Sequence, residues 1–182
     1  SVDVSYDFMG GDEPFERAAK INSIGVNYAH TNGYGVNLGS GDYAIGARST
    51  PLFDYDLTVM PDNNRLSIRG QGPSVTRFTI TGDCTDFLFQ IKGNDSATTT
   101  NGVIGWARAS WFELRDFSIN GNGNLCDLFS FTVCDRLKPS GLSIYDCDGY
   151  GVYARHWWDS LCDVRMVRCG SNQYFNVTSS GD

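Results

Sequence analysis

The sequence predicts an all-β solenoid opened by a short capping helix, and three observations carry that prediction. A short strand pattern returns about every 22 to 25 residues in the second half, at Phe117-Ser118-Ile119-Asn120-Gly121, Leu142-Ser143-Ile144 and Val164-Arg165-Met166. Leu66-Ser67-Ile68-Arg69-Gly70 is an earlier copy of it. Short strands at a fixed repeat, with no helix between them, suggest stacked units that each bury an inner face against the next. The composition agrees: 21 Gly with only 19% charged residues suits a β-rich chain with many turns, not a helical bundle. Finally, 182 residues with 41% apolar content are enough for the core of one domain.

The elements follow in order. Residues 1–12 read as an extended lead-in ending at Gly10-Gly11. From Pro14 to Ile24 the apolar positions Phe15, Ala18, Ala19, Ile21 and Ile24 fall on one side of a helix. Asp12 suits its N-cap, Pro14 its first turn and Gly25 its stop. Such a helix is well placed to cover the open end of a solenoid. Tyr34–Leu38 and Asp42–Ile45 read as strands joined by the tight turn Gly39-Ser40-Gly41. The cap therefore takes in residues 1–45 and the repeats 46–182. Within the repeats, strands are expected at Leu57–Met60, Leu66–Arg69, Arg77–Thr81 and Phe87–Ile91. Residues 94–102, almost all polar or Gly, read as a loop. Trp111–Ile119, Leu128–Val133, Leu142–Tyr145, Gly149–Tyr153 and Leu161–Met166 follow as further strands.

Charge and hydropathy exclude some partners. The net charge is −7 and no basic run exists, which argues against nucleic acid. No apolar stretch reaches 18 residues, so no helical membrane insertion is expected. The chain opens on polar residues without Met, not on a signal peptide. Tyr174–Val177 reads as a strand, and a solenoid ending just after it would leave an open edge, so a longer polypeptide is expected beyond Asp182. Cys147 and Cys169 lie 22 residues apart, near the repeat length, and would stack as buried free thiols. Disulfides are the alternative for the six cysteines. No CxxC pair and only two His speak against zinc, and no cofactor is called for.

Phe8-Met9-Gly10-Gly11-Asp12, the helix Phe15–Ile24 and Val36-Asn37-Leu38-Gly39-Ser40-Gly41-Asp42-Tyr43-Ala44-Ile45 together resemble the opening of the pectate-lyase-like parallel β-helix proteins, and among them phage tailspikes. Leu66–Thr76 resembles the first full coil of that family. The resemblance implies a right-handed, single-stranded parallel β-helix assembled as a homotrimer. Asp12-Glu13-Pro14-Phe15 stands where the family usually has a doubled Asp and Thr, and Gly39 where it has proline. The Gly-His and Asp-Asp motifs of polygalacturonase-like hydrolases are missing, and the arginine signature of pectate lyases is not evident.

The densest group of chemistry-bearing residues is 146–165. Asp146 and Asp148 would share one side of an extended segment, with Asp159 and Asp163 as a second acid pair 15 to 17 residues on. These four are the candidate catalytic acids, since glycoside cleavage uses two carboxyls. Arg155, His156, Trp157, Trp158 and Arg165 are the candidate substrate-binding residues, as cations, a base and aromatic platforms for sugar rings. The structural alternative is that the Trp side chains pack between repeats or subunits and the Asp residues make turns and ion pairs. Asp146-x-Asp148-Gly149 lacks the closing Glu of a calcium loop, and no metal is assigned. Asp54 and Asp56 share a strand face as a solvated edge.

The expected function, implied mainly by the resemblance, is a phage tailspike or tail-fibre fragment in the virion. It would bind a bacterial capsule or O-antigen polysaccharide, act as a depolymerase (glycosidase or lyase) if active, and contact other virion tail proteins. One alternative is a secreted microbial polysaccharide lyase or hydrolase. The other is a structural virion stalk without a ligand.

Overall fold

A computed structural model describes residues 2–3, 36–56, 67–100, 103–107, 109–110, 112–158, 162–169 and 175–178. The expected helix Pro14–Ile24, the strand Leu57–Met60 and Asp159 lie outside the described residues. Strands β1 (Val2–Asp3), β2 (Val36–Asn37), β3 (Gly41–Ile45) and β4 (Phe53–Asp56) come first. β5 (Ser67–Arg69), β6 (Thr76–Ile80) and β7 (Phe89–Lys92) follow, then β8 (Asn94–Thr100), β9 (Val103–Ala107) and β10 (Ala109–Ser110). The rest are β11 (Glu113–Arg115), β12 (Ser118–Asn120), β13 (Phe129–Asp135), β14 (Lys138–Ser140), β15 (Leu142–Tyr145), β16 (Val152–Trp158), β17 (Val164–Val167) and β18 (Phe175–Thr178). No helix occurs among the described residues.

The chain is all-β and built on parallel sheets. Sheet one runs β1-β2-β5-β11-β14, sheet two β18-β16-β13-β7-β4 and sheet three β17-β15-β12-β6-β3. The chain visits them in rotation: β2, β5, β11 and β14 in sheet one are each followed by a strand of sheet three and then one of sheet two. The register matches the sequence repeat in the second half, where Ile119 pairs with Ile144 and Ile144 with Met166. One expectation shifts. Ser67–Arg69 lies in sheet one and Ser118–Asn120 in sheet three, so these similar segments are not equivalent positions. Both satisfy the same short alternation, which fixes a strand but not the sheet it joins. Likewise β2 and β3 do not pair with each other; they lie in sheets one and three.

Single residues with left-handed backbone turn many of the corners. Asp116 (φ 62°), Arg136 (φ 53°), Asp146 (φ 52°) and Arg168 (φ 52°) each follow directly on a strand. Asp tolerates this region better than most residues, because its short side chain can bond locally. Gly121 is required for a different reason. A Cβ there would lie 2.5 Å from the Asp146 carbonyl oxygen and 2.6 Å from Cys147 Cα, so neighbouring corners stack too closely for a side chain.

Inward residues stack in register. Phe53, Phe89 and Phe129 form one column in sheet two, with ring centroids 4.5 and 5.0 Å apart. Tyr43, Phe78 and Phe117 pack alongside it. Each fully buried aromatic ring contributes about 1.5–3 kcal/mol relative to exposure. Four buried thiols line the corner between sheets three and two. Cys84 pairs in register with Cys126, and Cys147 and Cys169 stand two residues beyond the paired Tyr145 and Val167, each donating its Sγ back to the carbonyl of that residue. The expected stacking of Cys147 and Cys169 as buried thiols is therefore present, and all six cysteines stand free.

The segment expected as a loop at 94–102 is instead largely strand. β8 pairs antiparallel with β9, forming a hairpin inserted between β7 and β11. Its Thr-rich run, Thr98-Thr99-Thr100, has β propensity that a reading of polarity alone overlooks.

Candidate functional site

The outer face of sheet two concentrates the chemistry. Along β16, Val152 and Ala154 are fully buried, so Tyr153 and Arg155 point outward by strand alternation. Registers across the sheet then align two rows of residues with these two. Asp54, Gln90, Ser130, Tyr153 and Asn176 are aligned in one. Asp56, Lys92, Thr132, Arg155 and Thr178 are aligned in the next. Rows two residues apart are separated by about 6.6 Å, and adjacent strands by about 4.8 Å.

An aromatic cluster is centred on Tyr153 of the first row. The Tyr153 ring lies 5.8 Å from Phe87 and 6.4 Å from Tyr150, both tilted, and all three rings are half-buried. Ser130, opposite Tyr153 in register, is only 6% exposed although strand alternation turns it outward. Polar groups flank the rings. Gln90 Nε2 donates to Asp54 Oδ1 at 2.9 Å, and the Tyr150 amide donates to Asp127 Oδ1 at 2.8 Å. Both carboxylates keep further acceptor capacity. Half-buried rings beside carboxylates, an amide and a guanidinium can stack on the apolar face of a sugar and bond to its hydroxyls. Such amphipathic surfaces suit wet, polar ligands.

The face ends where the backbone departs from the sheet. Val133 in β13 has φ 54°, a conformation that is a genuine outlier for a β-branched residue. Pairing of β13 with β7 stops at Thr132, and β10 takes over at Cys134. The β8–β9 hairpin is the chain that intervenes between those two partners. Its root therefore adjoins the row of Lys92, Thr132 and Arg155. Strained backbone and a long insertion at one place are features of ligand sites more than of plain scaffold.

The residues expected from sequence are dispersed around the sheets. Arg155 is on the outer face just described. His156, Trp157 and Trp158 continue the same strand beyond the Val133 bend, with Trp157 opposite Cys134 and Trp158 opposite Asp135. Arg165 is exposed on β17 in sheet three, aligned with Ser143, Ser118, Arg77 and Asp42. Asp163 precedes β17 and donates its amide to the Pro139 carbonyl of β14, which belongs to sheet one. Asp146 and Asp148 do not lie on a strand, because β15 ends at Tyr145 and Asp146 turns the corner with positive φ. The extended geometry that would align their carboxylates is therefore not adopted.

Asp146 has a structural occupation. Arg168, one repeat on, donates Nε to its Oδ1 and Nη2 to its Oδ2, the latter at 2.9 Å. That paired guanidinium holds the Asp146 carboxyl below the usual carboxylate range. An acid held ionised by a bidentate arginine is poorly suited to donate a proton. Two of the buried thiols are similarly unavailable. The neighbouring Cys169 thiol and burial together push Cys147 up, and burial pushes Cys134 up. Among the described residues, no group of three or more His, Cys, Asp or Glu is disposed to hold a metal ion.

Phe87, Tyr150, Tyr153, Gln90 and Asp127 were not singled out by sequence reasoning. The signal was present in Val152-Tyr153-Ala154-Arg155, where alternation of small apolar and large polar-tipped residues assigns the outward pair. Phe87 and Tyr150 carry no such signal, because both precede their strands. Comparison of the chain with protein-family models, curated proteins and solved structures returns no match.

Proposed function

We propose that this chain is a glycan-binding segment, and that the outer face of sheet two is where a polysaccharide lies. The observation that carries this reading is the Phe87–Tyr150–Tyr153 cluster, half-buried on an otherwise polar sheet face between Asp54, Gln90, Asp127 and Arg155. We further propose that the three sheets are the faces of a right-handed, single-stranded parallel β-helix. The rotation of strands through the sheets and the 22- to 25-residue registers support that architecture. The resemblance of the opening segment to phage tailspikes makes a virion receptor binder for bacterial capsule or O-antigen the preferred biological setting, with the homotrimer that family implies.

Binding is favoured over cleavage by these residues. Asp146 is committed to Arg168, and Asp163 adjoins a different sheet from Arg155. The test uses the complete natural gene product with a panel of purified bacterial capsule and O-antigen polysaccharides, following both retention and polymer size. Retention of one polymer at full length, weakened at least tenfold by Tyr153→Ala, is the expected result. Shortening of a polymer that is abolished by Asp148→Asn or Asp163→Asn would instead establish a depolymerase in these repeats. Absence of binding across the panel would favour the structural stalk.

A further inference from the structure

We infer that the glycan taken by this face carries carboxylates, and that Arg155 recognises them; the inference rests on the glycan-binding reading above. The chain is acidic, with 21 Asp and Glu against 14 Lys and Arg, so an outward cation ordinarily finds a carboxylate. Four of the described arginines do. Arg69 and Arg115 lie against Asp116, Arg77 grips Asp42, and Arg168 grips Asp146. Arg155 is exposed and has no ion-pair partner among the described residues. Arg165 shares that state, but it stands on sheet three, away from the aromatic cluster.

Position gives the free guanidinium its meaning. Arg155 is two residues beyond Tyr153 on the same strand face, hence about 6.6 Å along β16. A sugar stacked on the Tyr153 ring would bring the next unit, or its own exocyclic group, to the arginine. The row containing Arg155 also holds Lys92 and Thr132, at positions two strands and one strand away. A neutral polymer gains nothing from an unpaired guanidinium that a hydroxyl or amide would not supply. A carboxylate gains a bidentate, charge-assisted pair whose planar fork matches its two oxygens. The bend at Val133 and the root of the β8–β9 hairpin adjoin this row, so the acidic group would sit at the walled end of the face.

The experiment measures retention of the complete natural protein on alginate, xanthan, gellan and hyaluronan, each beside its carboxyl-reduced neutral form. The wild type, Arg155→Gln, Arg155→Lys and Tyr153→Ala are compared at two salt concentrations. The expected result is binding to at least one acidic polymer, weakened about tenfold by carboxyl reduction and by Arg155→Gln. Arg155→Lys should recover part of it, and raised salt should weaken it. Tyr153→Ala should lower binding to acidic and reduced polymers alike. Equal binding to acidic and reduced forms, with Tyr153→Ala still harmful, would overturn the acidic class and leave the glycan-binding face standing. Binding to no polymer of either kind would overturn both.

Discussion

Phe89 and Phe87 are two residues apart, yet truncation should cost far more at one than at the other. Phe89 is almost fully buried, with its ring 4.5 Å from Phe53, 5.0 Å from Phe129, 5.6 Å from Phe117 and 5.9 Å from Phe78. Removing a buried Phe side chain costs about 3–5 kcal/mol, and four lost ring contacts place Phe89→Ala near the top of that range. Against a total stability of about 5–15 kcal/mol, the loss is severe. With a urea m-value of about 2–3 kcal/mol/M, the midpoint should fall by about 1.5–2.5 M. Phe87→Ala removes a half-buried ring whose recorded partner is Tyr153, and should cost under about 1 kcal/mol. The assay is equilibrium urea unfolding of both variants, followed by circular dichroism. Equal midpoints, or the larger loss at Phe87, would refute the assignment of inner and outer faces on which the site depends.

Other predictions follow from corners and titrating groups. Gly121→Ala forces backbone apart, because the new Cβ meets the Asp146 carbonyl at 2.5 Å, and should destabilise by about 1–3 kcal/mol in the same unfolding assay. Gly46→Ala, with nothing within 4 Å, should leave the midpoint within about 0.5 kcal/mol of wild type. Asp146 has its folded carboxyl pulled below the unfolded value by Arg168, so its stabilising contribution is present above the unfolded carboxylate range. It is lost as pH falls through the folded value. The stability gap between wild type and Asp146→Asn should therefore close on acidification, and a gap unchanged down to strongly acid pH would contradict the ion pair. Five of the six cysteines are buried, and burial and a neighbouring acid push the half-buried Cys162 to about 11. A thiol reagent at neutral pH should react slowly with the native protein and titrate all six thiols after unfolding; fewer than six would reveal disulfides.

How much was readable in advance depended on which property carried the signal. Glycine-bounded apolar alternation marked most strands, because a period of two is set by backbone geometry alone. The stacking of Cys147 on Cys169 was legible from a spacing equal to the repeat. Phase among the sheets was not: Ser67-Ile68-Arg69 and Ser118-Ile119-Asn120 look alike, but they meet different partners because the intervening chain includes a hairpin and several corners. That hairpin was hidden by polarity, since its Ser and Thr residues read equally as loop. Arg155 was found as a candidate through its aromatic neighbourhood in sequence. The rings that flank the neighbouring Tyr153 in space, Phe87 and Tyr150, come from other positions around the repeat and are brought together only by register. Asp146 shows the converse. Its proximity to Asp148 in sequence suggested a carboxylate pair, whereas a left-handed corner turns it toward Arg168.

A polysaccharide lying on the outer face of sheet two would shield the rings there from solvent. The most direct measurement is side-chain oxidative footprinting of the complete natural protein, with and without the polysaccharide that the panel selects. Phe87, Tyr150 and Tyr153 should be protected, with Tyr145 on sheet three unchanged. Protection of Tyr145 while Phe87, Tyr150 and Tyr153 stay equally reactive would contradict that location.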